Sequence, residues 1–490
     1  MEPPPPSLPD PLDPLPDPLP ESLTEPLPEP APRPRDPLAV AVANASLLGI
    51  GYLLLGRRLL AGVTLLITAT LVILLSTVAR SIWQELALVL WWAAHIANGW
   101  RLAGGRPEWK TVRRQRVAAS AVTIPVLLSL ILLRIQTAGI EDSVSNARDN
   151  GDCGVALTAL EQIWLGDRIA NAPGTAQLDL TTQACHRLQT AKNLLTTAWT
   201  GNIDALRLGF TDLAAVLAQL PGHEKMVQTV LDWFLNGLSR ATACDTAAIT
   251  DWLGRRHPTH NELDTATAVI PRSAPKALVD CADSLMTGSD WAAAQSRYQQ
   301  LLDQYPGNAL AARAQQGVHQ ATLAIQLDNV RGLLTGSTGT QPAYCSAPAA
   351  YGGAPAYGRG VNPAMIYGND DYANRLPADW KTSDAATAAL VVCAGAEQFG
   401  DTVQTCAYYN ENNPEITSNV AFHKIAIPVK GYELRTGKLV FDTTVQINGA
   451  SCPDSFDFFA YGPDDPGPAD RYVAASDNDV QAAFAALIAP

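Results

Sequence analysis

Few residues of this 490-residue chain have the types and spacing that chemistry needs. His257-Pro-Thr-His260, with Glu262 and Asp264 beyond, comes nearest to a metal site, but Pro258 breaks the helix that would align both imidazoles on one face. His223-Glu224 has no second histidine four residues on. His423 has the parity of an inward strand position and no visible partner, which reads as a core histidine. No GxSxG elbow, Walker loop or His-Glu-x-x-His occurs, and Gly49 and Gly51 lie in an apolar run without the strand-turn-helix context of a nucleotide fingerprint. The expectation is a non-enzymatic protein with no catalytic residue, no cofactor and no metal.

The other reactive groups are eight cysteines, Cys153, Cys185, Cys244, Cys281, Cys345, Cys393, Cys406 and Cys452. Their even number, the lack of any CxxC pair and the absence of zinc-like spacing point to disulfides and an oxidising compartment. Local pairing predicts Cys153–Cys185 and Cys244–Cys281, each between two helices of a hairpin. It also predicts Cys393–Cys406 across neighbouring strands, with Cys452 reaching back to Cys345.

The elements that must carry these cysteines follow a transmembrane block, residues 38–140. Four apolar runs, 38–56, 59–79, 82–100 and 117–133, each approach the roughly 20 residues that cross a hydrocarbon core. Arg57 and Arg58 follow the first run. Arg80 alone follows the second, and Arg101, Arg106, Lys110, Arg113, Arg114 and Arg116 follow the third. Short basic loops stay in the cytoplasm, so the first and third connections are inside and the chain leaves the fourth run outside. This agrees with the side that the cysteines require. Run 38–56 carries Asn44, Ser46 and three glycines, and is either a full crossing or a re-entrant dip; the choice decides the side of the tail. Glu85 and His95 are the ionisable groups of the third run. They lie about 80° apart around a helix, and Glu85 can reach the interface, so neither marks an ion pathway.

Charge divides the chain similarly. Residues 1–36 carry net −6, residues 37–140 carry +8 and the remainder carries −15. An acidic C-terminal region excludes nucleic acid, which needs clustered Lys and Arg. The lipid bilayer, and a protein or cell-wall partner, are the expected associations. Residues 1–37 contain 16 prolines and read as a disordered, acidic, polyproline-like tail.

Residues 141–332 repeat apolar positions at three and four, the period of helices. Gly288, Trp291, Ala294, Tyr298, Leu301 and Pro306 stand at offsets that resemble one tetratricopeptide repeat. Gly151, Cys153, Ala156, Leu160 and Ile163 repeat that spacing, and Gly201, Ile203, Leu206 and Phe210 do so more faintly. Their separations fit an irregular α-solenoid. Residues 333–380 are a Gly, Pro and Tyr linker. Its Tyr344, Tyr351, Tyr357 and Tyr367 are expected to pack on the neighbouring domain. Residues 381–490 change to period two, with Ala421, His423, Ile425, Ile427 and Val429 in one phase and Leu439 to Ile447 in the next. Arg435-Thr-Gly-Lys438 supplies a hairpin turn, and Val480 to Ile488 a closing helix, which together make a small disulfide-containing α+β domain.

The Pro-Leu-Pro-Asp tail, Asn150-Gly-Asp-Cys153, Leu220-Pro-Gly-His-Glu-Lys-Met226 and Phe422-His-Lys-Ile-Ala-Ile-Pro-Val429 together resemble actinobacterial membrane-anchored proteins with tetratricopeptide-like repeats. That resemblance implies a cell-envelope setting and no particular activity. The expectation is a multi-pass cell-membrane protein whose outside region binds or scaffolds. A sensor or assembly factor, acting through the basic loop 101–116, is the alternative, and an extracytoplasmic enzyme stands behind it.

Overall fold

The computed structural model describes residues 35–77, 82–104, 109–335, 341–411, 413–459, 462, 465 and 467–490. The proline-rich tail up to residue 34, Arg80 and Arg106 lie outside these residues. The chain is mostly helical, with one sheet domain and four disulfides. It forms two compact units, Met1–His186 with Leu220–Met226, and Arg187–Gln219 with Val227–Pro490.

In the first unit the helices are α1 (Pro37–Ala45), α2 (Ile50–Leu54), α3 (Arg58–Thr77), α4 (Ile82–Leu102), α5 (Trp109–Asn150), α6 (Cys153–Leu160), α7 (Leu165–Ala170) and the first part of α8 (Ala172–Ala198). The expected run 38–56 is not one helix. Leu47 and Gly49 both take positive φ, and Leu48 N donates to Ser46 Oγ, so the chain breaks after α1. At nine residues, α1 is about 14 Å long, half of what a crossing needs. A side chain at Gly51 or Gly99 would lie 2.3 Å from the Asn44 carboxamide, and these two glycines let α2 and α4 close around it.

Two helices are long and apolar enough to cross a membrane, α3 over Arg58–Leu75 and the part of α5 from Val112. Helix α4 has 21 residues but is less apolar, because Gln84, Glu85, His95 and Asn98 interrupt it. Helix α5 has 42 residues, about 63 Å, twice a hydrocarbon core. Beyond it α6 packs back on α5, and the Cys153–Cys185 bridge joins α6 to α8.

The second unit contains the rest of α8, then α9 (Ile203–Gln219), all but the first turn of α10 (Glu224–Asn236), α11 (Ala243–Arg255), α12 (Ile270–Thr287), α13 (Trp291–Gln304) and α14 (Ala311–Thr335). Helices α11 to α14 pack each on the next, and Cys244–Cys281 joins α11 to α12. Their shared core includes Ala247, Leu278, Ala282, Ala294, Tyr298, Leu301 and Ala314.

The sheet contains β1 (Ala364–Tyr367), β2 (Leu390–Ala394), β3 (Gln398–Asn410), β4 (Asn413–Glu433), β5 (Lys438–Ile447) and β6 (Asp470–Tyr472), with α15 (Asp370–Ala373) and α16 (Asp477–Ile488). Strand β4, 21 residues long, is its spine: β2, β3, β5 and β6 all pair with it. One face packs Val480, Phe484 and Ile488 of α16 against Leu390, Val392, Ile427 and Val429. The opposite face packs Val391, Cys393 and Tyr432 against Val330 and Leu334 of α14 and against Tyr344.

Three expectations need correction here. First, the sheet domain's bridges are Cys345–Cys393 and Cys406–Cys452, not Cys393–Cys406 and Cys345–Cys452. Strands β2 and β3 are not neighbours but pair with different stretches of β4. Cys393 stands opposite Lys430 and Cys406 opposite Val420, ten residues or about 33 Å apart. Second, the segment assigned to a linker over 333–380 belongs to the domain from residue 341 on. Tyr344 is fully buried, Tyr351 N donates to Leu434 O, Tyr357 Oη donates to Leu487 O, and β1 pairs with β2. Small residues let this chain lie flat on the sheet while its tyrosines fill the gaps. Helix α14 also runs to Thr335, past the expected end at Gly332.

Third, β4 does not keep one phase. Ile425, Ile427 and Val429 are buried as expected, but so are Val420 and Phe422, whereas Ala421 and His423 are not. The register of β3 on β4 shifts twice between Phe399 and Gln404. Both extra residues fall on β3, at the level where β4 changes phase.

Candidate functional site

Helix α13 carries the repeat-like motif and shows what its residues are for. Ala294 is fully buried where α13 meets α12. A side chain at Gly317 of α14 would lie 2.5 Å from the Tyr298 ring, so only glycine lets α14 close on it. Tyr298 Oη donates to Asp283 of α12, which also accepts from Arg313 of α14. One tyrosine thereby ties three helices, and burial together with the Asp283 carboxylate pushes its hydroxyl pKa upward. The three stretches with related spacing begin their helices alike: Asp152 accepts from Val155 N, Asn202 from Ala205 N and Asp290 from Ala293 N. Each is an N-cap satisfying an orphan amide. Leu301 is buried, and Pro306 lies in the turn before α14.

The outward side of this assembly is a groove of about 680 Å³ between α11, α13 and α14. Its wall is a row of carboxamides. Gln300 Nε2 donates to Asp251 Oδ1 at 3.2 Å and Gln299 Nε2 to Asp303 Oδ1 at 2.8 Å. Gln295 Nε2 donates to Thr322 Oγ1 at 2.7 Å, and Arg255 closes on Asp251. A glutamine has two donors and an acceptor oxygen with two lone pairs, so each retains hydrogen-bonding capacity for a ligand after these internal bonds. Periodicity located the motif on the inner side of α13; the glutamines of the outer side carried no signal of their own.

His257 and His260 are exposed, while Asp264 accepts from Thr259 N at 3.0 Å and His260 N at 2.7 Å, closing the loop. Those amides hold the Asp264 carboxyl below its ordinary pKa. His423 has both nitrogens engaged, Nε2 with Asp470 Oδ1 at 2.7 Å and Nδ1 with Gly400 O at 3.1 Å. The ring braces β3, β4 and β6. Its side chain is 14% exposed, so it is a satisfied, mostly buried histidine, with Asp470 as the partner that the sequence did not show. Among the described residues no group of three His, Cys, Asp or Glu could hold a metal. His223 Nε2 lies 3.0 Å from Thr181 Oγ1, with Leu220 O at 2.9 Å from Nδ1.

Ion pairs in the first unit were not visible in sequence. Asp36 accepts from Arg116 Nε at 2.6 Å, and Glu85 pairs with Arg134. Arg57, Arg58, Arg101, Arg113 and Arg114 are exposed, and Lys110 lies in the first turn of α5. Between the two pairs lies a polar cluster. Asn98 Nδ2 donates to Tyr52 Oη at 2.9 Å, Tyr52 Oη lies 3.4 Å from His95 Nδ1, and Asn44 Nδ2 donates to His95 O at 3.3 Å. Asn44 Oδ1 and His95 Nε2 are buried without a partner among the described residues.

No protein-family profile matches the chain, and neither does any curated protein or any solved structure.

Proposed function

We propose that the chain is a membrane-anchored, extracytoplasmic binding or scaffold protein of a bacterial cell envelope, without enzymatic activity. The envelope setting carries forward the likeness to actinobacterial repeat proteins. The observation that carries the reading is the pair of ion pairs on α5. Arg116 and Arg134 are 18 residues apart, about 27 Å along a helix, which is close to the hydrocarbon thickness. The exposed arginines cluster at the Arg116 end, and all four disulfides follow the Arg134 end in the chain. In this topology α3, α4 and α5 cross, and α1 with α2 forms a re-entrant hairpin entering from the basic side. Asp36 at its start holds Arg116, and Arg35 forms a bridge to Gly104, so the tail begins on the cytoplasmic side.

The partner surface in this reading is the carboxamide groove, whose chemistry suits the alternating donors and acceptors of an extended polypeptide. The full-length protein with a photo-crosslinking residue at Gln299 tests it in intact cells. A discrete adduct at Gln299, absent when the same group is placed at exposed Arg207 of α9, supports the groove. No adduct at either Gln299 or Ser296 counts against it.

A second reading, a transmembrane sensor, draws on the continuity of α5, a single helix from the basic loop to Asn150. Changing Arg113 and Arg114 to Gln would then abolish a cellular response while leaving the Gln299 adduct intact.

A further inference from the structure

Helix α4 carries a stripe of Trp92, Ile96 and Trp100 that ends on Arg101. These residues line an open groove of about 460 Å³ whose walls are apolar except at that arginine. The stripe runs eight residues, about 12 Å. Trp92 is fixed in place, its Nε1 donating to Ala45 O at 3.0 Å, so the wall is built by the break after α1. Trp100 is 52% exposed. A similar groove on α5 ends at Arg116, but that charge is taken up by Asp36. Asp36 is the one acidic residue described at this end of the block, so among the described residues Arg101, with Arg57, Arg58, Arg113 and Arg114, has no acidic partner.

We propose that the α4 groove binds one anionic phospholipid of the inner leaflet, with its phosphate on Arg101 and an acyl chain along Trp92, Ile96 and Trp100. The inference rests on the membrane reading above and deepens it. An apolar trough alone accepts any lipid. A trough that ends in an unpaired arginine at headgroup depth, with no acid described nearby to compete, selects for negative charge. The guanidinium also presents paired donors to phosphate oxygens, as an ammonium cannot.

The test uses the full chain in phosphatidylcholine vesicles doped with brominated lipid, which quenches tryptophan on contact. Subtracting the W100F signal isolates Trp100. Brominated phosphatidylglycerol is expected to quench Trp100 at about one fifth of the mole fraction that brominated phosphatidylcholine requires, the factor one basic contact supplies. R101Q is expected to remove that preference while quenching persists. Equal quenching by both lipids in the unaltered chain overturns the lipid site and leaves the membrane reading standing. No quenching of any tryptophan by either lipid overturns both.

Discussion

The helical hairpins and the sheet domain are each closed by two disulfides of similar span, 32 and 37 residues in one and 48 and 46 in the other. They differ in what the bridge joins. In the helices each bridge ties elements close in chain order that a periodic apolar face already brings together. In the sheet domain Cys345–Cys393 fastens an irregular segment to a central strand, and Cys406–Cys452 fastens β3 to a loop beyond β5. A bridge between helices adds to geometry the local sequence already encodes, whereas a bridge in the sheet domain supplies geometry that nothing local does.

The largest expected effect tests this contrast. Replacing Cys345 and Cys393 together by Ser removes a loop constraint contributing about 4 kcal/mol. Hydrogen exchange at Leu390–Ala394 is expected to rise toward that of an unfolded strand. Replacing Cys244 and Cys281 removes a constraint of about the same size, yet the helical circular dichroism at low temperature is expected to persist. If the helices unravel as fully as the sheet, the contrast fails. A middle-sized effect sharpens it within the helices: G317A places a methyl against the Tyr298 ring and is expected to cost about 1 to 3 kcal/mol through overpacking, read as a lower unfolding temperature. An unchanged temperature would mean that α13 and α14 do not pack through that ring.

Smaller again is the Asp36–Arg116 pair, expected to contribute about 1 kcal/mol. D36N should lower the unfolding temperature in detergent, and R116Q added to D36N should lower it little further. Independent, additive losses would separate the two residues. The smallest effect is the loop 257–264. Asp264 has a depressed folded pKa, so its contribution is complete above the ordinary carboxylate value of 3.8 and is lost as pH falls through the lower folded value. Exchange of the Thr259 and His260 amides should quicken only in that acid range, and should be fast at neutral pH in D264N.

Legibility followed the same division. Apolar runs, the α12–α13 hairpin, the turn at Gly437 and α16 could be read because each is decided within a few residues by period or turn chemistry. The break after α1 was signalled by glycines and Ser46 but not decided by them, since the closing contacts come from Gly99 on α4. The in-line placement of β2 and β3 along β4, the change of phase near His423 and the partners of Glu85 and Asp36 depend on residues tens of positions away. No local pattern contains that information. The carboxamide row escaped notice because an exposed glutamine looks the same in sequence whether or not it lines a groove.

The membrane reading underlies the rest, and thiol accessibility in intact cells tests it most directly. All eight native cysteines are paired, so G104C introduces a single free thiol beside the basic loop. An impermeant maleimide is expected to label G104C only after the cells are opened, and to label Cys393 and Cys406 in intact cells once they are reduced and unfolded in place. Labelling of G104C from outside, with the native cysteines reached only from within, would contradict the orientation and with it the assignment of the groove and the lipid site.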